Sequence, residues 1–252
     1  MAAVRGEQIA GQGVSEQRWR ASPQLTALPT SSLEQLLGTT TRVVVVSPHP
    51  DDEVLGCGGL LAMAIASGRQ VLIVSVTDGE AAYPQDDAWP PARLAIARRE
   101  ELRDALACLG IDSVSIVRLD AGDGQVRAGV DALGERLANL LQPRDAVLVT
   151  YARDGHPDHE ACADAASNAV ARCRARLIQF PIWAWHWDDP DHSQMLASAT
   201  RLVLSADAHA AKMQAMSAFK TQTGHVTPAL RNPILPDWAL ARFRRDFEVY
   251  LP

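Results

Sequence analysis

The chain has 252 residues, with 24 basic against 30 acidic side chains and a net charge of -6. That balance, with Lys212 and Lys220 as the two lysines and no basic stripe, argues against a nucleic-acid partner. No run approaches the roughly 20 apolar residues of a membrane span, and the first residues lack the apolar core of a signal peptide, so the sequence favours a cytoplasmic location.

The first 40 residues are rich in Gln, Ser, Thr and Pro, and end in the amphipathic piece Ser32–Leu37. They read as an extension packed on a single domain spanning residues 41–252. From there strand and helix patterns alternate. Val43–Ser47 reads as a strand, Glu53–Ser67 as a helix and Val71–Thr77 as a strand. The spacing predicts a helix over Ala92–Leu109, a short strand over Val114–Val117 and a helix over Val126–Leu141. Ala146–Thr150 follows as a strand, Asp158–Arg174 as a helix and Leu177–Ile182 as a strand. Asp207–Phe219 reads as a further helix in a less regular C-terminal part. This order predicts an α/β, Rossmann-like, doubly wound and mostly parallel sheet with helices on both faces. The cysteines (57, 108, 162, 173) form no C-x-x-C pair and read as small buried hydrophobes in a reducing compartment.

The chemistry concentrates in two clusters. A run of valines stops at Ser47-Pro-His-Pro-Asp-Asp-Glu53, where the prolines break the ladder and leave a polar group at the carboxyl end of a strand. The second cluster, His156-Pro-Asp-His159, follows the strand at 146–150 in the same way. His49, Asp52 and His159 supply the two imidazoles and one carboxylate that suit a catalytic zinc with an open position for water. Asp51 is a spare carboxylate placed to take a proton. His156 is placed to donate to a developing oxyanion, with Asp158 or Asp154 orienting it. The competing interpretation is helix capping: both clusters precede a helix, and Asp is a good N-cap residue. Gly56-Cys-Gly-Gly59 lacks the spacing of a phosphate loop and reads as close packing of a helix on the sheet.

At these residues the chain resembles the PIG-L/LmbE-like family of zinc-dependent N-acetylglucosaminyl deacetylases. The resemblance rests on Ser47–Glu53, Val76-Thr-Asp-Gly-Glu80, Arg98-x-x-Glu101 and Asp154-Gly-His-Pro-Asp-His-Glu160. It implies zinc on His49, Asp52 and His159, with Asp51 as general base and His156 as the electrophilic group. It further implies removal of an N-acetyl group from an amino sugar or an amino-sugar-containing metabolite. Arg98 resembles a substrate-hydroxyl contact; an exposed arginine paired with Glu101 is its competing reading. Trp185 and His186, in the tryptophan-rich stretch 183–187, are expected to line the substrate pocket. Iron(II), cobalt or nickel suits the same ligands. The alternatives are an amidase on a thiol conjugate or another non-acetyl amide, and a non-catalytic sugar- or metabolite-binding protein on the same fold. The expected partner is a small N-acylated molecule, and the sequence is compatible with a homo-oligomer.

Overall fold

The computed structural model describes residue 9 and residues 11–112, 115–230 and 232–252. Three short helices, α1 (Glu16–Arg20), α2 (Pro23–Thr26) and α3 (Leu33–Leu37), precede the first strand. Then come β1 (Arg42–Ser47), α4 (Asp52–Ala66), β2 (Gln70–Ser75), α5 (Pro91–Cys108), β3 (Ile116–Arg118) and α6 (Val130–Leu140). They are followed by β4 (Ala146–Thr150), α7 (Pro157–Cys173), β5 (Arg176–Phe180), α8 (Ala184–Trp187) and β6 (Thr200–Val203). The C-terminal part holds α9 (Ala206–Met216), α10 (Lys220–Thr223), α11 (Asp237–Leu240) and β7 (Phe247–Tyr250).

The central sheet is parallel throughout, in the order β3-β2-β1-β4-β5. The chain runs outward from β1 to β3, then returns to β4 on the other side of β1. The carboxyl ends of β1 and β4 therefore form the topological switch point at which open α/β sheets bind ligands. The four valines of β1 explain why it lies at the centre. All are fully buried; Val43 and Val45 face one core and Val44 and Val46 the other. Each such side chain stabilises the fold by about 1.5–3 kcal/mol.

The helices start and stop where local chemistry dictates. Ser32 and Gln35 form a capping box on α3. Pro91 stands in the first turn of α5, whose buried residues Leu94, Arg98, Glu101, Leu102 and Ala105 recur at helical spacing. Pro157 opens α7, and Arg174 ends it in the left-handed conformation.

The structure departs from the sequence reading in several places. The expected helix over 126–141 is a 3-10 turn, Val126–Gly129, followed by α6. The strand expected to reach Ile182 stops at Phe180, because Pro181 cannot donate to a ladder. Of the strand expected over 114–117, Val114 lies outside the described residues and the pairing runs from Ile116 to Arg118. The antiparallel pair β6-β7 was not anticipated. It carries Arg201, whose carbonyl accepts from Ser31 N at 2.9 Å, so the segment before β1 is tied to the C-terminal part. Trp19 on α1 is fully buried, and its indole Nε1 donates to the Trp185 carbonyl at 2.7 Å.

Candidate active site

The loop after β1 delivers three side chains in four residues. His49 Nδ1 lies 3.3 Å from Asp52 Oδ2 and 3.2 Å from His159 Nε2, and His159 Nε2 lies 3.3 Å from the same Asp52 oxygen. Donors held 2.0–2.1 Å from a tetrahedral zinc lie about 3.3 Å from one another, so this nearly equilateral triangle has the edge length such an ion requires. The charge balance fits a cation as well. Asp51, Asp52, Glu53, Asp154 and Asp158 are buried around His49, His156 and His159, and among the described residues Arg98 is the one guanidinium hydrogen-bonded to these carboxylates.

The imidazoles are held from behind. His159 Nδ1 lies 2.7 Å from Asp154 Oδ2, and Asp154 also accepts from the backbone N–H groups of Ile182, Trp183 and Ala184. On its far side His49 Nε2 faces Asp123 Oδ1 at 3.3 Å and Asp158 Oδ2 at 3.4 Å. These two carboxylates also offer oxygens near His49, and both are held by backbone N–H groups, as is Asp52 Oδ2, which accepts from His49 N at 3.0 Å. Asp158 accepts from Gly124 N and Val126 N, and Asp123 accepts from Ala81 N. Carboxylates behind histidines fix the tautomer and raise ligand basicity. Burial alone works to lower the pKa of His159, but Asp52 and Asp154 overcome it and raise it to about 9. The same contest, decided by Asp123, Asp158 and Asp52, leaves His49 well above the usual imidazole range. Asp52 is held well below the usual carboxylate range: burial opposes this, but the two histidines outweigh it.

Asp51 stands apart from the triangle. Its backbone has φ 145°, a region costly for any residue but glycine, and its side chain makes no capping hydrogen bond to α4. Instead Arg98 donates through one nitrogen to Asp51 Oδ2 at 3.1 Å and to the Pro50 carbonyl at 2.7 Å. The capping interpretation of this cluster therefore fails for Asp51. Burial pushes its carboxyl up to about 8, with Arg98 pulling the other way. Next to it, burial pushes Glu53 up to about 7; Ser47 donates to its Oε2 at 2.6 Å.

In the second cluster, His156 is the N-cap of α7, its Nδ1 accepting from Asp158 N at 3.3 Å. An imidazole that accepts through Nδ1 carries its proton on Nε2 when neutral. Burial and the neighbouring histidines push His156 down to about 2, so it is neutral. The carboxylates of Asp158, in the first turn of α7, and of Asp154, in the loop before it, go to His49 and His159 rather than to His156.

His49, Asp51, Asp52 and His156 open on a cleft of about 70 Å³. Arg98, Asp123 and His156 share the polar wall, while Leu55, Ile182, Trp183 and Leu235 form the apolar one. Arg98 is at the cleft as expected but is buried and paired with Asp51; Glu101 accepts instead from Thr221 N and Oγ1. Trp185 and His186 are not in the cleft lining. They lie past Trp183 on the single turn of α8, which aims Trp185 at Trp19 and His186 at Gly13 and Trp238. Trp183 is the tryptophan of that stretch that reaches the cleft. Of the cleft residues from 222 to 235, Ile234 and Leu235 sit in a loop whose sequence has no periodicity to mark them. A wider groove of about 870 Å³ lies between the 30–35 segment and α9, but it brings no histidine to its walls.

No described helix is long and apolar enough to cross a membrane. The chain is 34% identical over 150 residues to the 1D-myo-inositol 2-acetamido-2-deoxy-alpha-D-glucopyranoside deacetylase of Mycobacteroides abscessus, covering 48% of this chain and 52% of that one. It thus spans about half the length of that relative. It is 27% identical over 216 residues to the probable N-acetyl-alpha-D-glucosaminyl L-malate deacetylase 2 of Bacillus subtilis, covering 78% of this chain and 93% of that one. The N,N'-diacetylchitobiose deacetylase of Pyrococcus horikoshii shares the fold, with a TM-score of 0.58, 21% identity and coverage of 74% of this chain and 72% of that one. The family model described as PIG-L, GlcNAc-PI de-N-acetylase, matches residues 44–170, half of the chain and the whole of both clusters, and the chain belongs to that family.

Proposed function

We propose that this protein is a metal-dependent amide hydrolase, a cytoplasmic N-deacetylase acting on an amino sugar or an amino-sugar-containing metabolite. The observation that carries the proposal is the triangle of His49 Nδ1, Asp52 Oδ2 and His159 Nε2, with sides of 3.2–3.3 Å, beside an Asp51 that caps no helix. His49, Asp52 and His159 would hold the ion, and the His/His/Asp set favours zinc over iron(II), cobalt or nickel. A zinc bound there supplies Lewis acidity to a carbonyl and lowers the pKa of water.

The chain's own groups account for the proton traffic. Asp51 is fixed by Arg98 on the cleft wall, and burial raises its proton affinity toward that of a working base at neutral pH. It accepts the proton of the attacking water as the new C–O bond forms. Neutral His156 offers its Nε2–H to the oxyanion that develops on the former carbonyl oxygen. The proton on Asp51 then passes to the departing nitrogen as the C–N bond breaks, giving acetate and a free amine. Asp123 and Arg98 on the polar wall, and Trp183 on the apolar one, are placed to orient the sugar. The same reading takes residues 41–252 as one catalytic domain, with the preceding segment packed on it.

Acetate release from a panel of N-acetylated amino sugars by zinc-reconstituted protein tests the proposal. Release that a chelator stops and zinc restores is the expected result. Release from thiol-conjugate or longer-chain amides alone would move the activity to the non-acetyl alternative. Tight sugar binding without any hydrolysis would favour the non-catalytic reading.

A further inference from the structure

The glycine-rich helix behind the metal triangle is broken. Within α4, Cys57 has φ -143° and ψ 16°, outside the helical region. The break separates a first turn, which carries Asp52 and Glu53, from the remainder of the helix. Gly56 and Gly59 permit close approach on either side: a methyl group at Gly56 would lie 2.0 Å from the Phe180 ring, and one at Gly59 would lie 2.4 Å from Leu204.

A buried ion pair fills the break. Lys212 Nζ on α9 donates to the Leu55 carbonyl at 2.9 Å and to Glu248 Oε1 at 2.7 Å. Glu248 on β7 accepts from Gly59 N at 2.7 Å and from Leu60 N at 2.8 Å. Leu55 C=O and Gly59 N–H are the two groups that an unbroken helix would join to each other. The ammonium thus caps the end of the first turn and the carboxylate caps the start of the second piece. The Tyr250 hydroxyl completes the arrangement by donating to Glu248 Oε2 at 2.7 Å. Lys212 and Glu248 are both buried. Desolvating such a pair costs several kcal/mol per ion, which makes it a poor device for stability alone.

We infer that Lys212 and Glu248 are positioning residues for the metal site: the pair sets the angle of the first turn of α4 and thereby the position of Asp52 Oδ2 in the donor triangle. The inference rests on the metal-site reading above. It assigns a function to a C-terminal part, α9 and β7, that lies outside the span matched by the family model. Neither residue belongs to the cleft lining, and Lys212 meets the cleft residue Leu55 at its backbone carbonyl, so the pair acts through the backbone of α4 and not on substrate.

The test is a zinc titration of metal-stripped protein against a competing chelator, with thermal unfolding of the same metal-free samples. The Lys212→Met/Glu248→Gln double variant removes both charges together and avoids leaving one ion unpaired. Its zinc Kd is expected to weaken at least tenfold at a temperature where the metal-free variant is folded. Leu25→Ala, a cavity in the N-terminal segment, should lower Tm and leave zinc Kd within twofold of wild type. A folded double variant with wild-type zinc affinity overturns the inference. If the double variant does not fold, Tyr250→Phe decides: about threefold weaker zinc binding upholds the inference and unchanged affinity overturns it. Absence of zinc binding by the wild type would instead overturn the metal-site reading beneath it.

Discussion

Arg98 and Asp51 form a buried ion pair, Nη2 to Oδ2 at 3.1 Å, between a residue in mid-helix and a residue in a strained turn. The same nitrogen also holds the Pro50 carbonyl, and the other terminal nitrogen donates to the Gly79 carbonyl at 3.0 Å. One guanidinium therefore ties together the two loops that follow β1 and β2. An unfavourable φ of the kind Asp51 adopts costs about 1–3 kcal/mol and persists only when its surroundings enforce it. Arg98→Met should keep one zinc per chain and lower kcat by about 10²-fold or more, the size of effect expected when a general base loses its position. Steady-state kinetics with metal analysis on the same samples checks this; loss limited to KM would make Arg98 a substrate contact only.

Asp51→Asn preserves shape and removes the base. It should retain metal and lose about 10²–10⁴-fold in kcat. Activity within a few-fold of wild type would transfer the proton-accepting function to another group.

Asp154 has no opening on the cleft, yet it holds His159 Nδ1 at 2.7 Å. Asp154→Asn should weaken zinc binding by about 10–100-fold, as loss of a carboxylate behind a metal-binding histidine commonly does. Chelator competition measures it, and unchanged affinity would show that the three backbone N–H contacts of Asp154 are its whole contribution.

Zinc affinity should depend on pH in a defined direction. In the metal-free protein His159 holds its proton up to about pH 9. Metal must displace that proton, so apparent affinity rises with pH below about pH 9, about tenfold per unit for one proton. His49, also raised well above the ordinary imidazole range, steepens the slope. A titration series from pH 6 to 9.5 checks this; affinity that falls with pH would contradict the ligand assignment.

The tryptophans separate substrate contact from packing. Trp183 reaches the cleft, whereas Trp185 is buried with its ring centroid 4.9 Å from that of Trp19. Trp183→Ala should raise KM with little change in Tm. Trp185→Ala should cost about 3–5 kcal/mol of stability, as large-to-small changes at buried aromatics do. Thermal unfolding and kinetics on both variants separate the two outcomes.

The central part of the fold was legible because its signals are local. Four valines ended by two prolines define β1 and its terminus, and a polar cluster at that terminus needs only the switch-point rule to become a site. The helix over 91–108 carries a clear helical periodicity, and the strand at 146–150 is a short apolar run rich in β-branched residues. What escaped depends on long-range contacts. Trp183 and Trp185 have the same local chemistry, and only the turn of α8 decides which one faces the cleft. Lys212 and Glu248 are 36 residues apart and meet at a helix break marked by nothing except a cluster of glycines. Asp154 and Asp158 flank His156 in one motif, yet Asp154 is drawn to His159 by its contacts with the 182–184 backbone and Asp158 to His49 by the first turn of α7.

The most direct test is metal content of wild type and His159→Ala after purification and reconstitution under identical conditions. One zinc per chain in the wild type, and less than a tenth of that in His159→Ala, is the result predicted by the donor triangle. Equal metal in the two proteins would contradict it and remove His159 from the ligand set.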